Sequence, residues 1–318
     1  MTARLRITHL IIVPLAFVLG MVSCGNANTG SSGHVGPDPV IFALPEIPYT
    51  LKNPGERAAF LAEHYWDSFN PKLLLTPEDS MTVEQAFVDF LTITLEVEKT
   101  VADKAVCNLL EKSSAKDEAY AFVLELATKY LYEADSPMEN EEMFLPYLQY
   151  AADSARTNDY IRMRANFLLR RVRKNRPGTK SADFQYISRE NKKENLWSVK
   201  AEELLLIFYD PECLHCMEII SQIMHDSDIS DRLNNGKLKI LAIYTEGDEN
   251  VWKANKNQLP ANWIVGKDIS GIVENELYDL KAMPTLYLLD KDSRVLMKDF
   301  DIRRLTSPII QESRYESA

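Results

Sequence analysis

From Glu56 to Pro177 the chain contains no glycine, although 11 glycines occur among its 318 residues. Tight turns and strand irregularities lean on glycine's freedom at positive φ, whereas a helix interior disfavours it by roughly 0.5–1 kcal/mol relative to alanine. This stretch is therefore expected to be almost wholly helical. Asn53–Pro54 offers a start, with proline pre-set for the first turn, and Ala58, Leu61, Ala62 and Tyr65 follow at helical spacing. Thr82 with Gln85 three positions on reads as a capping box opening a helix that carries Ala86, Phe87, Phe90 and Leu91. Further helices are expected over Asp117–Tyr132, Met143–Asp153 and Asp159–Lys174, with Pro71, Pro77, Pro137 and Pro146 near the breaks between them. No repeat of fixed period is found, which argues against a tetratricopeptide array.

Little in this helical stretch announces chemistry. Phe87, Phe90, Tyr147 and Tyr150 are expected to line a core or groove. His64, beside Tyr65–Trp66, reads as a hydrogen-bonded packing histidine, and Cys107 as a small buried hydrophobe. The basic run Arg170, Arg171, Arg173, Lys174 and Arg176 stands just before Pro177–Gly178, where cations suit a helix C-terminus.

The pattern changes after Gly178. Leu204–Tyr209 and Thr285–Leu289 are apolar runs of strand length, Lys237–Tyr244 contains a third in Leu238, Ile240, Leu241 and Ile243, and Met217–Met224 and Ser270–Leu280 between them have helical spacing. Alternation of this kind implies a layered α/β fold around a central sheet. With 46% hydrophobic and 26% charged residues the chain is globular in composition, and a net charge of −11 argues against nucleic acid as a partner.

The first 23 residues read as an export signal. Arg4 and Arg6 precede the apolar run Leu10–Val18, which is too short to span a bilayer. The ending Met21–Val22–Ser23–Cys24 resembles a bacterial lipobox, with Met21 in place of the usual leucine. The resemblance implies that Cys24 carries a lipid and that the chain is a periplasm-facing lipoprotein. Gly25 follows where an aspartate commonly retains such proteins in the inner membrane, so the inner leaflet of the outer membrane is favoured. Residues 24–45, rich in Gly and Ser at first, read as a tether.

The motif with most chemical content is Cys213–Leu214–His215–Cys216, placed after a strand and opening a helix. Two cysteines three positions apart on a first helical turn can close a small disulfide with little backbone movement. Free backbone N–H groups and the helix dipole stabilise a thiolate at the first of them, making Cys213 the expected attacking thiol and Cys216 the resolving one. His215 adds positive character, which Asp210 and Glu212 oppose. Two other readings of such a pair stay open: half of a zinc site, with only His225 and Cys107 as further ligands, and a structural disulfide.

Beyond the pair itself, Ala282–Met283–Pro284–Thr285–Leu286 resembles the cis-proline loop of the thioredoxin-like, TlpA/ResA-type family. Ser181–Phe184 resembles that family's first strand and Tyr287–Asp292 its return hairpin. The match covers about residues 178–307. It implies a cis Met283–Pro284 bond packed against the active-site disulfide, a client groove shaped by Pro284, and no cofactor or metal. The helical stretch ahead of it resembles a region of unknown function found before thioredoxin-like modules in some anchored lipoproteins. Three departures stand out: Ile207 where thioredoxin has a buried acid, Glu212 in place of a tryptophan, and Leu214 in place of Gly or Pro. His215 matches the oxidising members.

The resulting expectation is an α + α/β protein, with a signal over 1–23, a tether over 24–45, a helical domain over 46–177 and a thioredoxin-like domain over 178–318. Its expected activity is thiol–disulfide exchange at Cys213, Cys216, His215 and Pro284. The partners are protein thiol or disulfide clients, a further redox partner, and a membrane through the lipid on Cys24. A contrasting expectation is an anchored binding or assembly lipoprotein whose cysteine pair is structural or redox-sensing. Thiolate stabilisation implies a couple more oxidising than thioredoxin's value of about −270 mV.

Overall fold

A computed structural model describes residues 41–305. The export signal, Cys24 and residues 24–40 of the expected tether lie outside them; residues 41–45, expected to belong to the tether, include Ile41 and Phe42, whose apolar side chains pack on the helical core. In the first part, helix α1 (Pro54–His64) starts at Asn53, whose side chain accepts from the Gly55 and Glu56 N–H groups. Helix α2 (Pro77–Leu95) starts earlier than expected: Thr76 and Asp79 make the reciprocal capping box, with Pro77 at the first helical position. Thr82 and Gln85 lie inside α2, where Thr82 donates to the Glu78 carbonyl at 3.0 Å and Gln85 to Asp89 at 2.9 Å. A threonine can satisfy its hydroxyl on the preceding turn, so the Thr82 spacing needs no helix end.

Helices α3 (Lys99–Ser113), α4 (Asp117–Leu131), α5 (Glu141–Asp153) and α6 (Asp159–Val172) complete this region. Pro146 lies within α5 and not at a break. Its ring removes one ladder bond, and the helix continues because Phe144, Tyr147, Leu148 and Ala151 bury one face around it. The core is rich in rings, with Tyr65 and Phe90 centred 5.4 Å apart and Phe87 and Tyr147 5.9 Å apart. Both spacings fall in the range of favourable aromatic pairs. Phe42 closes this core, 5.2 Å from the rings of Tyr65 and Trp66.

The second part is a mixed sheet of seven strands among the described residues. They are β1 (Gln185–Ser188), β2 (Lys193–Asn195), β3 (Glu203–Tyr209), β4 (Leu238–Tyr244), β5 (Ile264–Asp268), β6 (Thr285–Asp290) and β7 (Val295–Lys298), in the order β2-β1-β5-β4-β3-β6-β7. Central β3 runs parallel to β4 and antiparallel to β6. Its side chains alternate between two buried layers: Leu205, Ile207 and Tyr209 on one face, Leu204, Leu206 and Phe208 on the other. Burial on both faces is why β3 reads as a continuous apolar run. Helices α7 (Leu214–His225), α8 (Ser227–Asn234) and α9 (Glu249–Asn255) complete the fold.

Two expected elements are corrected. Ser181–Phe184 is not a strand; the ladder begins at Gln185, preceded by a lone bridge between Lys180 and Arg294. Ser270–Leu280 is not a helix. The Asp268 carboxylate accepts the Ser270 and Ile272 N–H groups at 2.7 Å each, and Gly271 and Glu276 both take positive φ, so only a short turn forms.

The basic run ending α6 joins the two parts. Arg171 pairs with buried Asp279 at 2.7 Å, Lys174 with Glu276 at 3.3 Å, and Asn175 donates to the Leu277 carbonyl at 2.9 Å. Arg176 turns back to Glu142 of α5.

Candidate functional site

Strand β3 ends at Tyr209, and the turn Asp210–Pro211–Glu212 delivers Cys213 to the start of α7. The Asp210 side chain accepts the Glu212 N–H at 2.9 Å and its carbonyl accepts the Cys213 N–H at 3.2 Å. Cys213 is itself the N-cap of α7: its sulfur accepts the Cys216 N–H at 3.3 Å, one of the donors that no helical carbonyl can satisfy. On its other side the thiol reaches the Met283 carbonyl at 3.9 Å. The Met283–Pro284 bond is cis, as the family resemblance implies. Two sequence-distant stretches thus meet at one sulfur.

The two thiols are free and differ in setting: Cys213 is half-buried, Cys216 fully buried. Burial pushes the Cys216 thiol up to about 12, opposed by a hydrogen bond from the Asp210 backbone and reinforced by Cys213. Ile207 lies in the same apolar cluster as Cys216, so an aliphatic side chain occupies the layer beneath the pair. His215 is exposed, with Nδ1 3.7 Å from the Glu218 carboxylate. Leu214 is 83% exposed.

Among the described residues no group of three or more His, Cys, Asp or Glu side chains is arranged to hold a metal ion. His225 instead meets the Ser221 carbonyl at 2.7 Å. Cys107 corrects an expectation: it is exposed on α3 and not buried, because Ala105, Val106, Leu109 and Leu110 form that helix's inner face. His64 behaves as a packing histidine, 2.8 Å from Asp67 and 4.4 Å from the Phe60 ring centre.

A cleft of about 740 Å³ opens beside the pair. His215, Met283 and Pro284 line one side, and Ala134, Asp135 and Glu139 of the helical region line another. Below it lies a buried ion cluster in which Lys281 meets Glu139, Glu141 at 3.2 Å and Asp299 at 3.1 Å, while Lys298 meets Glu141 at 2.7 Å. Burial, then Asp299, raises the Glu139 carboxyl to about 7 against the pull of Lys281. Burial alone would lower Lys281, but Asp299, Glu141 and Glu139 together push it upward. None of these residues carries a motif. Their role comes from assembly, and the one local sign was the Ser136–Pro137 break in a helical stretch.

The chain is similar to known proteins over most of its length. A domain of unknown function (DUF5106) matches residues 23–175. A thioredoxin-like protein from Bacteroides caccae is 36% identical, with a TM-score of 0.78, over 83% of this chain and 96% of its own. That span takes in helical and sheet regions together. The C-terminal domain of an uncharacterized protein from Bacteroides fragilis is 37% identical over 41% of this chain and 94% of its own, with a TM-score of 0.40. None of the curated proteins matches the chain. A relative 36% identical and matched along nearly its whole length, helical and sheet regions together, shows the family: the protein belongs to the thioredoxin-like proteins.

Proposed function

We propose that the protein is a thiol–disulfide oxidoreductase acting on protein clients, with Cys213 attacking, Cys216 resolving and Pro284 shaping the place where the client lies. The observation that carries this reading is the position of Cys213, capping α7 with its sulfur on the Cys216 N–H and facing the carbonyl of the cis-proline loop. In the reducing direction the Cys213 thiolate attacks one sulfur of a client disulfide. A mixed disulfide forms, and the other client sulfur leaves as a thiolate that takes a proton. Cys216 then loses its proton and attacks the Cys213 sulfur, releasing the second client thiol and leaving a Cys213–Cys216 disulfide, so two electrons pass to the client. The oxidising direction is the same sequence reversed, and a redox partner of either kind resets the pair.

The test is trapping. Cys216→Ala in the full chain is expected to accumulate covalent client complexes that a reductant releases, and Cys213→Ala none. Equal trapping by both, or trapping by Cys213→Ala alone, would reverse the roles. No trapping together with no exchange in vitro would leave the binding-lipoprotein reading.

The second part of the reading is location: a lipid on Cys24, a periplasm-facing chain and the inner leaflet of the outer membrane. It is supported by the lipobox-like Met21–Cys24 and by Gly25 after it. A Cys24→Ala protein that still partitioned with membranes would remove the anchor.

A further inference from the structure

We propose that the segment 134–139 of the helical region is the selectivity wall of the redox groove, so that the cleft takes an extended polypeptide segment of a client. This rests on the exchange chemistry assigned above to Cys213. The cleft lies between that segment and the face holding His215 and Pro284; Ile219, Leu286 and Phe300 give it apolar contact, and Asp301, Arg303 and Arg304 give it charge of both signs. Its volume of about 740 Å³ is room for a stretch of chain and not for a sulfur pair alone.

The wall is built and braced. Within it, Asn140 N–H donates to the Leu131 carbonyl at 3.0 Å, and the Ser136 hydroxyl to the Tyr130 carbonyl at 2.6 Å. Ser136 also accepts the Met138 N–H on its hydroxyl at 3.2 Å. Both ends are fastened to the stretch that leads into the cis bond. At one end the Tyr132 hydroxyl donates to Asp279 at 2.8 Å, and Lys281 donates to the Tyr132 carbonyl at 3.1 Å. At the other, Lys281 holds the Glu139 carboxylate. Residues 279 and 281 stand just before Met283 and Pro284, so the wall and the client-facing peptide are parts of one braced assembly. A braced groove of mixed apolar and charged lining suits a chain laid out along it, whose backbone and side chains offer both kinds of contact, and Met283, which lines the cleft and whose carbonyl meets the Cys213 sulfur at 3.9 Å, links it to the thiol.

The experiment compares kcat/KM of the full chain for two substrates, a short unfolded peptide containing one disulfide and a small aromatic disulfide. Ala134→Trp and, separately, Asp135→Trp add bulk at exposed positions of the wall. Each is expected to lower the peptide-to-small-disulfide ratio of kcat/KM by roughly tenfold, the scale on which a reshaped apolar site discriminates. A ratio unchanged in both variants, with circular dichroism showing them folded, would overturn the wall. Wild-type protein exchanging neither substrate would overturn the redox reading itself, and the wall with it. Exchange of the small disulfide with an unchanged ratio would fell the wall alone.

Discussion

The helical region and the sheet region are held by different means. In the first, rings from separate helices pack against one another, such as Phe87 of α2 against Tyr147 of α5, and almost no charge is buried. In the second, strands far apart in sequence make two aliphatic layers on β3. Where they meet, neither strategy applies. The seam is a set of buried ions, Arg171 on Asp279 and Lys281 among three carboxylates. Apolar burial is non-directional, whereas charge pairs in low dielectric hold only at good geometry. The part of the molecule that fixes how one region faces the other is thus its most directional, and the cleft beside the cis-proline loop is built on it.

The sharpest way to break this picture is to remove one side of a seam pair. Arg171→Met leaves the Asp279 carboxylate buried with only the Tyr132 hydroxyl, and should cost about 3–5 kcal/mol in denaturant unfolding. If the regions form one cooperative unit, far-UV signal and tryptophan fluorescence shift together; unfolding of the helical region alone would show that the seam does not couple them.

A change confined to the sheet should act less. An added Cβ at Gly266 of β5 would lie 2.4 Å from the Tyr186 ring, so Gly266→Ala is expected to cost about 1–3 kcal/mol by overpacking. Thermal unfolding with no loss would mean that Tyr186 can give way.

Titration sharpens the comparison at the seam. The Glu139 carboxyl, raised from its ordinary 4.5 to about 7, binds its proton more tightly folded than unfolded. Its contribution is full below pH 4.5 and is lost as pH rises through 7. The Tm of Glu139→Gln minus that of the parent should therefore increase from pH 5 to pH 8; a flat difference would contradict the buried ion cluster.

The smallest effect is expected at His215. Exposed and 3.7 Å from Glu218, its charge is screened and partly offset. His215→Ala should lower the potential of the pair by less than about 30 mV, the equivalent of 1.4 kcal/mol of thiolate stabilisation. A larger drop in a redox titration would return the histidine to a central role.

How far the sequence could be read follows the same division. The glycine-free stretch declared a helical region, although α3 was not among the helices read from it, and β3, β4 and β6 declared themselves because double burial makes their sequences largely apolar, with Lys239 the exception in β4. The cysteine pair was legible because strand, turn and helix start are contiguous. Strand β5 was not, since Gly266, Lys267 and Asp268 break its apolar character. Ser270–Leu280 misled because its spacing is helical while the Asp268 side chain takes its first N–H groups. Thr82 with Gln85 and Thr76 with Asp79 have the same spacing, and only Pro77 separates them. The cleft was out of reach altogether. Its walls come from residues near 135, 215, 284 and 300, and the ion pairs between them have no local pattern.

Cys107 gives the molecule an internal reference. Partial desolvation on α3, then Asp103 and Glu111, raise that thiol above its ordinary range although the residue is exposed, so it has little thiolate at neutral pH. Cys213 sits at a helix start in the same chain. In one alkylation time course, read by peptide mass, the ratio of labelling at the two positions reports how strongly the helix start activates a sulfur. Protein concentration and reagent age cancel from that ratio, because both thiols belong to every molecule counted.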